Sequence, residues 1–174
     1  MLRKRRAGLI AGTFLQSLGV ILLLAGAANG GDRTSIDVLY GRNDGEDQYG
    51  VQYLDLNDGL LEGAAVYVGV LSVIDRRYEK YTSADLELGV RLHAGGKIQP
   101  WIGLAGTFGF SATREKGTSD YENDWQAGVM PEAGIDLPVS ENAFLSISGR
   151  YLVTTDGRDE DCWLAGIGLG WESD

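Results

Sequence analysis

The sequence has few of the residues that build disulfide frameworks, metal sites or nucleic-acid interfaces. It contains one cysteine, Cys162, and one histidine, His93, among 174 residues. A lone cysteine excludes an internal disulfide, and one cysteine with one histidine excludes a zinc site of the Cys/His kind. The sequence has 15 Lys and Arg but 25 Asp and Glu, and this excess of negative charge disfavours binding to nucleic acid.

Long apolar runs are missing after the first thirty residues, and the run before that point has the parts of a secretory signal peptide. Basic residues at positions 3–6 precede an apolar stretch over 8–24, and Ala25-Gly26-Ala27 fits the small-residue cleavage pattern. We predict a signal peptide over residues 1–27, cleaved after Ala27, and one mature domain over 28–174. An uncleaved membrane helix is the alternative, but the span is just short of the roughly 20 apolar residues it needs.

The mature region shows period-two alternation of apolar and polar residues in place of helical periodicity. In residues 85–93, Leu or Val occupies every even position, and the odd positions hold Asp85, Glu87, Gly89, Arg91 and His93. Successive side chains of a strand point to opposite faces, so this segment predicts an amphipathic strand. Eight strands are predicted in all, over residues 34–42, 47–55, 60–74, 79–94, 98–113, 122–136, 143–155 and 161–172.

The breaks between these strands are of two kinds. Short turn sequences at 57–59, 94–97 and 138–142 alternate with more charged connections. Outer-membrane barrels have short periplasmic turns and longer outer loops. The alternation therefore predicts periplasmic termini and four loops outside the cell, at residues 43–47, 75–80, 113–123 and 156–161.

Tryptophan and tyrosine fall near the ends of the predicted strands. If the first strand runs outward, Trp125 and Trp163 lie near outer ends, whereas Trp101, Trp171 and Tyr53 lie near periplasmic ends. The two interfaces of a bilayer select such residues. We therefore predict two aromatic belts that include all four tryptophans.

On this pattern, the mature chain resembles the small eight-stranded outer-membrane barrels, the group of the OmpA transmembrane domain and OmpX. The resemblance implies an all-β, antiparallel up-and-down transmembrane barrel in the outer membrane of a Gram-negative bacterium. It also implies contact with outer-membrane lipid, with lipopolysaccharide and with the insertion machinery. Two features depart from the group. Residues 172–174 follow Trp171, where such chains commonly end on an aromatic residue, and Pro131 falls within the sixth strand, where we expect a bulge or break.

Charged residues on the inward phase of the strands form the candidate site. They are Asp85, Glu87, Arg91, Glu132, Asp136 and Arg150, with Asp37, His93 and Gln126 on the same phase. Buried charges must be paired or hydrated, and an eight-stranded interior is just wide enough to be filled by side chains. We predict a polar plug in which Arg91 and Arg150 bridge carboxylates. A narrow conducting path is the alternative interpretation of the same residues.

The predicted function is structural or interactional, through the surface loops, with no cofactor, metal or catalytic residue. An enzyme is disfavoured because a Ser/His/acid hydrolase would need His93, which lies beside a turn at the predicted periplasmic end. Two alternatives stay open: a narrow channel for small solutes, and a soluble exported barrel that binds an apolar ligand. The second alternative requires an apolar interior, whereas several of these strands carry charge on their inward face. The sequence names no surface partner.

Overall fold

Eight antiparallel strands close on themselves in the computed structural model, which describes residues 32–43, 46–61, 63–75, 80–114, 122–155 and 161–173. The strands are β1 (Arg33–Asn43), β2 (Glu46–Leu61), β3 (Ala64–Asp75), β4 (Lys80–His93), β5 (Gln99–Arg114), β6 (Glu122–Pro138), β7 (Ala143–Thr154) and β8 (Cys162–Glu172). Each strand pairs with the next, and β8 pairs with β1. The predicted all-β up-and-down barrel is confirmed. The predicted signal peptide lies outside the described residues.

The outer face of the strands is apolar, whereas the inner face carries the buried charges together with a buried apolar cluster that includes Leu39, Leu71 and Met130. In β8, buried and exposed residues alternate strictly from Cys162 to Gly170. In β4, leucines and valine are exposed at 86, 88, 90 and 92, whereas Asp85, Glu87 and Arg91 are buried. This arrangement is the reverse of a water-soluble barrel and is that of strands whose outer surface meets hydrocarbon. Among the described residues, no helix is long and apolar enough to cross a membrane.

The second strand extends further than the sequence predicted. We predicted a turn at residues 57–59, but β2 continues to Leu61, and the chain turns at Gly63, whose φ is 75°. Glycine adopts this conformation without the steric cost that other residues meet. The β2–β3 register shifts between Asn57 and Leu61, so the polar residues form an irregularity within the ladder. Tyr53, predicted at a strand end, consequently lies near the middle of β2.

Pro131 interrupts the sheet on one side only. The β6–β7 pairing holds at Val129–Val153 and resumes at Glu132–Arg150, and the pairs between them are missing. The two flanking pairs are three residues apart on both strands, so the interruption adds no residue to either strand. The predicted local break is confirmed, and Glu132 keeps its place on the lumen face.

The two ends of the barrel differ in their connections. At one end, here called the turn end, the strands are joined by residues 62–63, 94–98 and 139–142, and Ser173 N donates to Asp32 O at 2.9 Å. At the opposite end, here called the loop end, the connections include residues 115–121 and 155–161. The β1–β2 connection at this end is residues 44–45, so the predicted loop over 43–47 was too long. Paired residues of β1 and β2 continue to Asn43 and Glu46.

The exterior of β4 gives a test of the lipid-facing surface. Leu88 lies in mid-strand and is 64% exposed, whereas Leu92 lies one residue from the end of β4. We expect Leu88→Arg to lower the free energy of unfolding by about 2–4 kcal/mol, and Leu92→Arg by about 0–1 kcal/mol, because the cost of arginine falls from mid-bilayer toward the interface. Urea unfolding in lipid vesicles measures both. Equal losses would contradict the assignment of Leu88 to the hydrocarbon.

Candidate functional site

Glu132 on β6 is the centre of a hydrogen-bond network across the lumen. Arg91 Nε donates to its Oε1 and Arg91 Nη2 to its Oε2, each at 3.0 Å. Arg150 Nε donates to Oε2 at 3.2 Å, and the Tyr67 hydroxyl donates to Oε1 at 2.8 Å. One carboxylate therefore ties β3, β4 and β7 to β6. Bidentate guanidinium–carboxylate pairs are the strongest hydrogen bonds between side chains, and they compensate the burial of all three charges.

Arg150 extends the network to the other wall of the barrel. Its Nη2 pairs with Asp37 of β1, and both side chains are fully buried. The chain of contacts from Arg91 through Glu132 and Arg150 to Asp37 thus crosses the lumen from β4 to β1. Four of the described lumen charges are held in one connected unit, in which two guanidinium groups face two carboxylates.

Asp136 anchors a second group of contacts near the turn end. Its Oδ2 accepts from Arg33 Nη2 and its Oδ1 from Trp101 Nε1, both at 3.0 Å. The Arg33 guanidinium lies 4.2 Å from the centre of the Phe144 ring, a distance at which the cation and the aromatic face attract. These side chains lie in the lumen between the Glu132 network and the turn end.

The remaining two acids of the candidate site lie toward the loop end and have neutral partners. Gln126 Nε2 donates to Asp85 Oδ1 at 2.8 Å, and Gln52 Nε2 donates to Glu87 Oε2 at 2.7 Å. The six predicted interior charges are therefore all on the lumen face, but they do not form one network. Arg91, Arg150 and Glu132 come together, Asp136 pairs with Arg33, and Asp85 and Glu87 are bound by amides.

Trp101 is not part of an aromatic belt, and that prediction was wrong. Its ring is buried in the lumen, where the Arg91 guanidinium lies 3.9 Å from the ring centre. The alternation of β5 contained the signal, since Trp101 shares its phase with Gly103 and Ala105. The alternation of the strand therefore predicts the side of the barrel on which Trp101 lies better than its closeness to the strand end does.

The other three tryptophans lie on the exterior. Trp125 is exposed and its ring centre lies 5.3 Å from that of Phe108. Trp163 is exposed and packs against Tyr151, with ring centres 4.5 Å apart. Trp171 lies at the opposite end of β8 from Trp163. The exterior therefore carries aromatic side chains toward both ends of the barrel.

His93 lies at the turn end of β4. Its backbone N–H donates to Gly63 O at 2.7 Å, and neither nitrogen of its half-buried ring has a hydrogen-bond partner among the described residues. The described part of the chain thus places no serine hydroxyl in hydrogen-bonding contact with this ring, which a Ser/His/acid hydrolase requires.

Glycines on the lumen face make room for the large side chains, a feature that the sequence analysis missed. A methyl group added to one of these glycines would collide with a side chain from another strand. The pairs are Gly168 with Asp37, Gly109 with Asp85, Gly103 with Glu132, Gly69 with Glu87, Gly89 with Tyr67, Gly134 with Trp101 and Gly170 with Phe144. Each of these glycines is paired, on the neighbouring strand, with the large inward residue that it accommodates. A glycine paired with a large inward residue is therefore the sequence pattern that indicates such a contact.

Removing the charge of the central carboxylate tests the network. We expect Glu132→Gln to lower the free energy of unfolding by about 3–5 kcal/mol, because it leaves buried guanidinium groups without their partner. Glu87→Gln is the matched control, since the bond of Glu87 to the protein is to a neutral amide, and its effect should be much smaller. Urea unfolding in lipid vesicles compares the two. Similar losses would show that Glu132 has no central role.

The close packing of lumen glycines against large side chains is tested by adding one methyl group on the lumen face and, as a control, one on the exterior of the barrel. In Gly168→Ala the methyl group meets Asp37 Oδ1, so we expect a loss of about 1–3 kcal/mol from overpacking. In Gly149→Ala the methyl group points outward and meets nothing within 4 Å. That variant should be neutral, or more stable by up to about 1 kcal/mol, because alanine loses less backbone freedom in a strand. A neutral Gly168→Ala, by the same unfolding measurement, would contradict the pairing.

Comparison with known proteins identifies the fold. The sequence matches no protein-family model and no curated protein. The structure is similar to the N-terminal β-barrel domain of Pseudomonas aeruginosa OprF, at 16% identity over 83% of this chain and 100% of that chain, with a TM-score of 0.58. It is also similar to Neisserial surface protein A (NspA), at 9% identity over 81% of this chain and 95% of that chain, with a TM-score of 0.61. The chain has the fold of the small eight-stranded outer-membrane β-barrels, and its apolar exterior fits the predicted location in an outer membrane.

Proposed function

We propose that this barrel has a structural or surface-interaction role, in which a rigid wall holds the loop-end connections at the cell surface. The observation that carries the proposal is the network centred on Glu132, which joins four strands by hydrogen bonds through the lumen. A lumen cross-linked in this way fits a rigid wall better than a path for solutes. NspA, a barrel of the same fold, is named as a surface protein, which fits this proposal.

The exterior defines the partners that we propose. Apolar residues at the middle of the strands would contact lipid tails, and Trp125 and Trp163 near the loop end would contact the interface of the outer leaflet with lipopolysaccharide. The insertion machinery of the outer membrane is the proposed partner during assembly. The surface partner would bind the connections at the loop end.

The lumen argues against the soluble alternative. A barrel that carries an apolar ligand needs an open apolar cavity. The described lumen face holds five buried carboxylates and three buried guanidinium groups, and the apolar residues of its buried cluster pack against one another. The charged residues are Asp37, Asp85, Glu87, Glu132 and Asp136, and Arg33, Arg91 and Arg150. The narrow-channel alternative would require the Glu132 network to open, since its side chains meet across the lumen.

Epitope insertions in intact cells test the surface role and its orientation. Insertions at Gly117 and Gly157, in loop-end connections outside the described residues, should bind antibody on unbroken cells. An insertion at Gly96, in the turn-end connection over residues 94–98, should bind only after the outer membrane is opened. Labelling at Gly96 alone in intact cells would invert the orientation and remove the proposed contact surface.

A further inference from the structure

Several polar atoms inside the barrel have no hydrogen-bond partner among the described residues, and one group of them lies beside β8. The group is Ser35 Oγ, Ser146 Oγ, Ser148 Oγ, Asp37 Oδ1 and Arg150 Nη1, here called the polar file. All five side chains are more than nine-tenths buried. Buried polar groups in native proteins are bonded almost without exception, and internal water supplies the bond where the protein does not.

The polar file lies over the glycines of β8. Ser146 and Asp37 lie on either side of one β8 glycine, and Ser148 pairs with Gly166, two residues along. A methyl group at Gly166 would lie 2.6 Å from Ser148 Oγ, 2.7 Å from Leu39 Cδ2 and 3.0 Å from Arg150 Nη1, so the two polar atoms border one point beside Leu39. Atoms this close to a common point are within reach of a single bridging water.

Atoms without a protein partner continue toward the loop end along β4. Glu87 and Asp85 are two residues apart on its lumen face, which is roughly 7 Å in a strand. Each carboxylate is bonded by a glutamine amide at one oxygen. In the part of the chain that the structure describes, Glu87 Oε1 and Asp85 Oδ2 have no hydrogen-bond partner. Gln52, which bonds Glu87, is paired with Asp37 in the β1–β2 ladder, so the polar file and this pair meet near the middle of the lumen.

The charges along this line do not bar a positively charged species. Glu132 and Asp37 compensate the guanidinium groups of Arg91 and Arg150, so the line carries no excess positive charge at its centre. Toward the loop end, Glu87 and Asp85 accept hydrogen bonds from glutamine amides. Side chains fill the interior of an eight-stranded barrel, which leaves no wide aqueous path for a hydrated ion.

We propose that the polar file, Glu87 and Asp85 hold a hydrogen-bonded chain of water molecules that passes protons through the lumen and excludes hydrated ions. A proton binds the water at one end, each water passes one proton to the next, and a different proton leaves at the other end. One positive charge crosses per event. No bond to the protein is formed or broken, and the waters then rotate back to accept the next proton.

Proton flux in proteoliposomes tests this proposal. The folded barrel is reconstituted in vesicles that contain a pH-sensitive dye and potassium, and valinomycin sets an inside-negative potential when the external potassium is diluted. We expect the interior to acidify faster than in protein-free vesicles. The same protein in planar bilayers should show no steady potassium current. A proton flux equal to the protein-free background, or a steady potassium current, would overturn the proposal.

An isosteric pair of variants locates the path. Ser148→Val and Ser148→Thr add nearly the same volume, but only threonine keeps the hydroxyl. The proton flux should fall to background in Ser148→Val and persist in Ser148→Thr. Equal flux in both variants would overturn the proposed path. Folding is checked by the mobility difference between unboiled and boiled samples, and Ser146→Val with Ser146→Thr provides a second pair if either variant at 148 fails to fold.

Discussion

The carboxylate of Glu132 is the contact on which the interior of this barrel depends. It accepts hydrogen bonds from Arg91, Arg150 and Tyr67, which lie on three other strands, and Arg150 continues the network to Asp37. In a bilayer the exterior gives little packing energy that could hold the strands in one shape, since lipid tails are as apolar as the side chains that face them. Hydrogen bonds across the lumen hold the strands in one shape instead.

Glu132 directly follows Pro131, the residue at which the β6–β7 ladder is interrupted. The β6–β7 ladder lacks pairs immediately before Glu132, and pairing resumes at Glu132 and Arg150. A missing pair in the hydrocarbon leaves backbone groups without partners, which is costly. The side-chain bond between Glu132 and Arg150 joins the same two strands at the first intact rung. A side-chain bond through the lumen therefore joins the two strands beside the gap in their ladder.

Much of the architecture could be predicted from the sequence because a membrane barrel reverses its hydrophobic pattern residue by residue. Alternation in β4 and β8 placed Leu88 outside and Glu87 inside without any knowledge of their partners. Partner choice was less accessible, because it depends on which strands face each other across the lumen. Nothing in the local sequence indicates that Arg91 binds Glu132 while Glu87 binds Gln52. The prediction of a turn at 57–59 was wrong for a related reason. Pairing with β3 resumes at Leu61 and Ala64, so the chain turns after this pair and not at the local turn sequence.

The glycines under the lumen side chains restrict how this sequence can change over time. Asp37 fits because position 168 has no side chain, and Glu132 fits because position 103 has none. Each such position can accept a larger residue only if its partner on another strand becomes smaller. Lumen positions are thus expected to drift as pairs, whereas lipid-facing positions can exchange one apolar residue for another independently. Two barrels of one fold can then share 9% of their residues and still be filled, each by its own set of complementary large and small side chains.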